Sequence, residues 1–510
     1  MVVVGRIKRG AYFDSVALMT VGRDVSARDG IADAAVVMGT DENRSILAAS
    51  GLLLDEFNAA GDSDLLIAVK ADDSAAAEAA VAAVLEQLER RAAPAGEVAS
   101  FSPSSIEGAV ELMPDANLVL ISVAGRYAAR EAWKALRGGL HVMLFSDNVS
   151  VDAEVALKRH AHERGLIVMG PDCGTAILGG TPLGFANAVR RGGIGIVAAA
   201  GTGLQEVSSI VSNEGEGISQ ALGTGGRDVT DAVGGITFLD AIDALAGDPG
   251  TRVLVLVSKP PDAGVLSAIE RRVAAIDKPV VTMLIGADSP GPGAAATLEE
   301  AALRAVALAR GEEPGSVADR LRRRDADLDV VAREQADRLE GGRRFVRGLM
   351  SGGTFCAEAQ VILRGIEGGV SSNAPLSGAR ELDDPLASDG HTVVDLGADE
   401  FTVGRPHPMI DYSLRVKRLE TEASDPETAV ILLDVVLGYG SHADPASELA
   451  AVVGSAAESV AVVCSVTGTD RDPQNRSAVE AALAAAGAVV APSNAAACIL
   501  ARKIAERRGE

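Results

Sequence analysis

Aromatic side chains, positive charge and cysteine are all scarce in this sequence, and no long apolar run occurs in it. Phe, Trp and Tyr make up 3% of the chain, which argues against a stacking platform for single-stranded nucleic acid. Lys and Arg number 47 against 71 Asp and Glu, a formal net charge of −24. Nucleic acid and anionic membranes are therefore poor partners overall. An anionic ligand must be held by a local cluster of donors. No run of about 18 apolar residues is present, so no helix is expected to span a bilayer. The opening MVVVGRIKRGAYFD lacks the apolar core and small-residue cleavage site of a secretory signal. The four cysteines (Cys173, Cys356, Cys464, Cys498) form no CxxC pair, so reduced thiols in a cytoplasmic protein are expected. The histidines form no HExxH or other close-spaced set, so no metal site is expected.

What is present is an α/β pattern. At 510 residues the chain exceeds a single hydrophobic core, and two to four domains are expected. Residues 1–113 read as a compact α+β module, with a Pro/Gly-containing linker within it around 94–96 and 101–103. From 117 onwards short apolar runs alternate with helical patterns: strands at 117–123, 141–145 and 166–169, helices at 127–137 and 151–164. That alternation predicts βαβ units and a parallel sheet. The turn Gly170-Pro171-Asp172-Cys173-Gly174-Thr175 closes this stretch at the carboxyl end of a strand, where ligands sit in open α/β sheets.

Two glycine turns then stand out. Gly201-Thr202-Gly203 links an apolar strand to an amphipathic helix read as opening at Leu204, and Gly352-Gly353-Thr354 does the same in the second half. A helix that opens through glycines presents unpaired N–H groups and a positive dipole end, which suit a phosphate or carboxylate. Neither turn completes GxGxxG and no GK[ST] loop occurs, so each alone is a weak signal. Their repetition is stronger. Asp248-Pro249-Gly250-Thr251 before RVLVLVS is echoed by Asp425-Pro426-Glu427-Thr428 before AVILLDV, and Gly226-Arg227 is echoed by Gly404-Arg405. The same signals in the same order predict a duplicated α/β fold. Residues 311–341, charged and helical, read as the linker between the halves.

The motifs MGPDCGT (169–175), AAAGTGLQEV (198–207), GTGG (223–226) and ITFLDAIDALAGDPGTRVLVLV (236–257) resemble the α chain of succinyl-CoA synthetase. Residues 343–510 resemble the C-terminal ligase domain of its β chain. Fused in this order, without an ATP-grasp module and behind this N-terminal region, they are similar to the FdrA family. The resemblance implies a Rossmann-like CoA-binding-type domain (114–191) and two flavodoxin-like ligase domains (192–310 and 342–510). It also implies that the two glycine-started helices face each other across a phosphate. The departures matter too. The region where the synthetases carry their phosphohistidine reads GADSPGPGAAATLEEAA here and has no histidine. Lys259-Pro260-Pro261 stands where the orienting glutamate is expected. The glycine turn that grips CoA phosphates is not evident upstream of 117.

A phosphate cradle without a relay suits a ready-made acyl or carbamoyl phosphate, with CoA a further possible ligand. FdrA-type proteins are linked to oxamate carbamoyltransferase, and that transferase is the leading expectation. An acyl-CoA ligase subunit is the alternative, and a non-catalytic scaffold is a third reading. The expected ligand-holding residues are Gly201, Thr202, Gly203, Gly352, Gly353, Thr354, Asp172 and Cys173. Arg227 and Arg405, each in a Gly-Arg loop, are candidate clamps for a carboxylate or phosphate. His407, framed by Pro406 and Pro408, is a candidate general acid. Cys173 and Cys356 lie beside glycine turns, and burial as small hydrophobes is the alternative role for each. Expected partners are small anionic substrates and further subunits or a second copy of the chain.

Overall fold

A computed structural model describes the chain except residues 12, 14, 27, 63, 93–102, 104, 288–292, 314, 403–405 and 510. The linker expected around 94–96 and 101–103, except Pro103, and the Gly404-Arg405 loop lie outside the described residues. The chain divides into two compact units, residues 1–115 with 399–411, and residues 116–398 with 412–510.

In the first unit, Leu65–Ala71 is the central strand of an antiparallel sheet, flanked by Val2–Lys8 and Ile31–Met38. Successive side chains of a strand point to opposite faces, and here both faces are covered. Leu65, Ile67 and Val69 pack with Leu18, Val21 and Val84, while Leu66 and Ala68 pack with Leu47, Leu52 and Phe57. A central strand buried on both sides reads as an unbroken apolar run, which is what LLIAV is.

Among the described residues, the second unit holds three sheets. Leu118–Ile121, His141–Leu144 and Val168–Met169 form a small parallel sheet. The next sheet runs Val280–Leu284, Val253–Ser258, Arg191–Ala199, Ile218–Gly223, parallel throughout. A hairpin of Thr175–Leu178 and Thr181–Gly184 is added antiparallel at its edge. This hairpin does not stand out in the sequence, because each strand is only four residues long. The third sheet has seven parallel strands, with Phe345–Met350 between His391–Asp395 and Thr428–Val436. These are parallel α/β layers, as the alternation of elements predicts, of the Rossmann-like and ligase type that the resemblance implies.

The duplication is visible in the topology. Arg191–Ala199 neighbours Val253–Ser258 and then Val280–Leu284; Phe345–Met350 neighbours Thr428–Val436 and then Ala461–Thr467. The Asp-Pro-x-Thr repeat has one physical job in both halves. Asp248 Oδ1 accepts from Gly250 N (3.0 Å) and its Oδ2 from the Thr251 hydroxyl (2.7 Å). Asp425 accepts from Glu427 N (2.9 Å) and from the Thr428 hydroxyl (3.2 Å). Each is an Asx turn that starts a core strand. The charged stretch after 310 forms the helix Gly315–Arg338, whose apolar side buries Val317, Leu328, Ala332 and Ala336.

Candidate anion site at two abutting helix N-termini

The strand Arg191–Ala199 passes through a single residue, Ala200, into the helix Gly201–Asn213. The helix therefore opens at Gly201, three residues earlier than the amphipathic pattern suggests, and the glycines are its first turn. The strand Phe345–Met350 passes through Ser351 and Gly352 into the helix Gly353–Ile362. Neither N-cap, Ala200 or Gly352, offers a side-chain cap. The first intrahelical bonds are Leu204 N to Ala200 O (2.9 Å) and Cys356 N to Gly352 O (3.0 Å). The three N–H groups before each of these have no intrahelical acceptor.

The two turns touch. A Cβ on Gly203 would lie 2.9 Å from Thr354 Cγ2, and one on Gly352 would lie 2.6 Å from Thr202 Oγ1. Gly353 is crowded by two charged groups, Asp395 Oδ2 at 2.5 Å and Lys259 Nζ at 3.0 Å from the same Cβ position. Thr202 and Thr354 are 8% and 3% exposed, while Gly201 is open to solvent and Gly353 partly so. Two positive helix ends thus converge on one spot that solvent can reach.

Buried polar groups fix this arrangement. Asp434 accepts from Ser351 N (2.8 Å), the Ser351 hydroxyl (2.8 Å) and Gly352 N (3.1 Å). Arg415, fully buried, bonds the carboxylate and carbonyl of Asp434 and the carbonyl of Leu349. Further along, Glu206 and Glu358 stand five residues after Gly201 and Gly353, and each caps a helix of the opposite half. Glu206 accepts from Asn494 N (3.0 Å), at the start of Asn494–Gly509, and from the Thr467 hydroxyl (2.5 Å). Glu358 accepts from Leu298 N (2.8 Å), at the start of Leu298–Arg310, and from Asn494 Nδ2 (2.7 Å). Burial pushes Glu358 up to about 7, against its bonds to Leu298 and Asn494, and burial raises Glu206 too.

The other expected residues are dispersed. The 170–175 turn packs against the GTGG loop, since a Cβ on Gly225 would lie 2.3 Å from Pro171 O. Its Thr175 Oγ1 comes within 3.8 Å of the Cβ position of Gly201. Asp172 is exposed, with φ of 55°. Cys173 is buried beside Gly223 O (3.3 Å), and burial pushes its thiol up to about 12. Burial pushes Cys356 to about 12 as well, so both thiols are small buried hydrophobes and poor nucleophiles. Arg227 Nη2 donates to Val149 O (2.8 Å) and pairs with Glu154 (3.0 Å); an anion there would compete with a buried carboxylate. His407 falls in the segment 399–411, which groups with the N-terminal unit, and its Nδ1 accepts from Met409 N (3.2 Å). Arg405 is outside the described residues.

Comparison with known proteins gives these features a context. Residues 349–504 match the CoA-ligase family, and residues 1–102 match the family described as AllF, heavy metal-associated domain. The uncharacterized protein YahF of Escherichia coli is 41% identical over 509 residues, covering 98% of this chain and 97% of that one. The chain belongs to the FdrA family. Within this family member, the α subunit of succinate–CoA ligase [ADP-forming] from Methanothermobacter thermautotrophicus is matched at 27% identity, over 43% of this chain and 78% of that one. The solved dinucleotide-forming acetyl-coenzyme A synthetase 1 of Ca. Korarchaeum cryptofilum is similar at 14% identity and a TM-score of 0.31, covering 77% and 84% of the two chains. The CoA-ligase match and the succinate–CoA ligase relative make the FdrA chain succinyl-CoA synthetase-like. Its residues 1–102 contain neither cysteine nor histidine, so a thiolate or imidazole metal site has no ligands there.

Sequence reasoning passed over Glu206, Glu358 and Asp434. A signal for the first two was present: aligning GTGLQE (201–206) with GTFCAE (353–358) places the glutamates at one offset. Asp434 had none, because its counterpart in the first half is Val257.

Proposed function

We propose that this FdrA chain is a subunit of a phosphate-dependent carbamoyltransferase, converting oxalurate and phosphate to oxamate and carbamoyl phosphate. A phosphate oxygen attacks the carbamoyl carbon, the bond from that carbon to the oxamate nitrogen breaks, and that nitrogen takes up a proton. The observation carrying this reading is the pair of uncapped helix N-termini in contact at Gly203–Thr354 and Thr202–Gly352. Fixed N–H dipoles aimed at one point stabilise phosphate charge as it forms or disperses, without a covalent intermediate. The absence of histidine from residues 280–301 supports direct transfer over a phosphohistidine relay. Gly201–Gly203 and Gly352–Thr354 hold the phosphate in this scheme, with Asp172 at the neighbouring turn.

A second reading, an acyl-CoA ligase subunit, is favoured by the CoA-ligase match over 349–504. The purified chain, alone and with candidate partner subunits, is to be incubated with oxalurate and phosphate while carbamoyl phosphate is assayed. Phosphate-dependent carbamoyl phosphate supports the transferase. Product formed only with CoA and ATP replaces it with the ligase, and inactivity in every combination leaves a non-catalytic role.

A further inference from the structure

We propose that Lys259 is the charged side-chain ligand of the phosphate group at the paired helix N-termini, acting with the Thr202 hydroxyl. This rests on the reading that these turns hold a phosphate. Lys259 directly follows the buried strand Val253–Ser258, whose register places Ser258 beside Ala199, just before the Gly201 turn. Pro260 and Pro261 follow, restricting the backbone that presents it. Its ammonium reaches the N-terminus of the other half's helix, 3.0 Å from the Cβ position of Gly353. Among the described residues it makes no hydrogen bond and no ion pair. A partly buried ammonium with no acceptor is costly unless an anion completes it.

The surroundings agree. Thr202 is 8% exposed, its Oγ1 is aimed at Gly352, and it has no hydrogen-bond partner among the described residues. Each helix end carries roughly half a positive charge. With Lys259 included and the neighbouring Asp395 carboxylate subtracted, the spot is net positive by about one charge. A phosphate, as the free ion or as the phosphoryl end of carbamoyl phosphate, has the charge and the acceptors to satisfy these donors.

The test is titration of the full-length chain with inorganic phosphate and, separately, carbamoyl phosphate, followed by calorimetry and phosphorus NMR. The variants are Lys259→Met, Lys259→Arg and Thr202→Val, with thermal unfolding as the control for folding. Lys259→Met is expected to weaken phosphate binding by about tenfold or more. Lys259→Arg should stay closer to the parent, and Thr202→Val should lie between them. Equal phosphate binding by the parent and a folded Lys259→Met overturns the assignment of Lys259 and leaves the carbamoyltransferase reading intact. If Lys259→Met does not fold, loss of binding in folded Thr202→Val with retention in Lys259→Arg supports the assignment, and unchanged binding in Thr202→Val overturns it. A parent chain that binds neither ion overturns the assignment, and phosphorolysis of oxalurate by that parent chain then decides the reading separately.

Discussion

Gly352 has φ of −113°, a backbone angle open to every residue, so its glycine is demanded by space. Thr202 Oγ1 and Cγ2 occupy the room a side chain would need, at 2.6 and 2.7 Å from the Cβ position. Gly352→Ala is therefore expected to part the two turns at a cost of about 1–3 kcal/mol, as for other overpacked sites. Chemical denaturation measures that cost, and phosphate binding should fall with it. Glu358 behaves differently. Its folded pKa is pushed up to about 7 by burial, so the folded state holds a proton that the unfolded chain releases. Its contribution to stability is complete below the ordinary carboxylate range and is lost as pH rises through about 7. Glu358→Gln should make the fall in melting temperature between about pH 5 and 8 shallower, with Glu206, also raised by burial, contributing to the remaining slope. The amide fits if Asn494 flips, because Asn494 Oδ1 has no partner and accepts from the new Nε2.

At the scale of elements, one strand residue holds a helix in place. Asp434 lies on the fully buried strand Thr428–Val436 and takes three hydrogen bonds from Ser351 and Gly352. Arg415 lies beneath it with both side chains 0% exposed. Removing the carboxylate strands a buried guanidinium. Asp434→Ala is expected to lose about 3–5 kcal/mol, whereas Asp248→Ala, which opens a half-buried Asx turn, should lose about 1 kcal/mol. Urea denaturation of the two variants checks the contrast. The duplicated strands and their Asx turns were legible in sequence because Asp, Pro and Thr have local jobs at short range. Asp434 was not, since its partners are 19 and 83 residues away and a lone Asp in an apolar run leaves no local pattern.

For the whole molecule, the segment 399–411 has a consequence of its own. It sits in the second half of the sequence yet groups with residues 1–115, and it buries Phe401, Met409 and Ile410. Deleting residues 1–115 is expected to leave this segment open to limited proteolysis, with new cleavage inside 399–411 that the full-length chain resists. Mass spectrometry of the fragments identifies the cut. Arg227 teaches a related lesson. The Gly-Arg repeat is real in the sequence, but the fold gives Arg227 a carboxylate and a carbonyl from the neighbouring helix region.

The sequence by itself determined the α/β class, the duplication and the two glycine-started helices, because each rests on periodicity and turn chemistry within a few residues. It also determined that residues 280–301 hold no histidine, which is read directly off that stretch. Only the tertiary structure decided that the two helix starts touch, that Lys259 reaches across to Gly353, and that Glu206 and Glu358 cap each other's halves. Those are contacts between residues 60 to 288 positions apart. Such contacts follow from how two sheets pack, and local patterning carries no record of which distant atoms will meet.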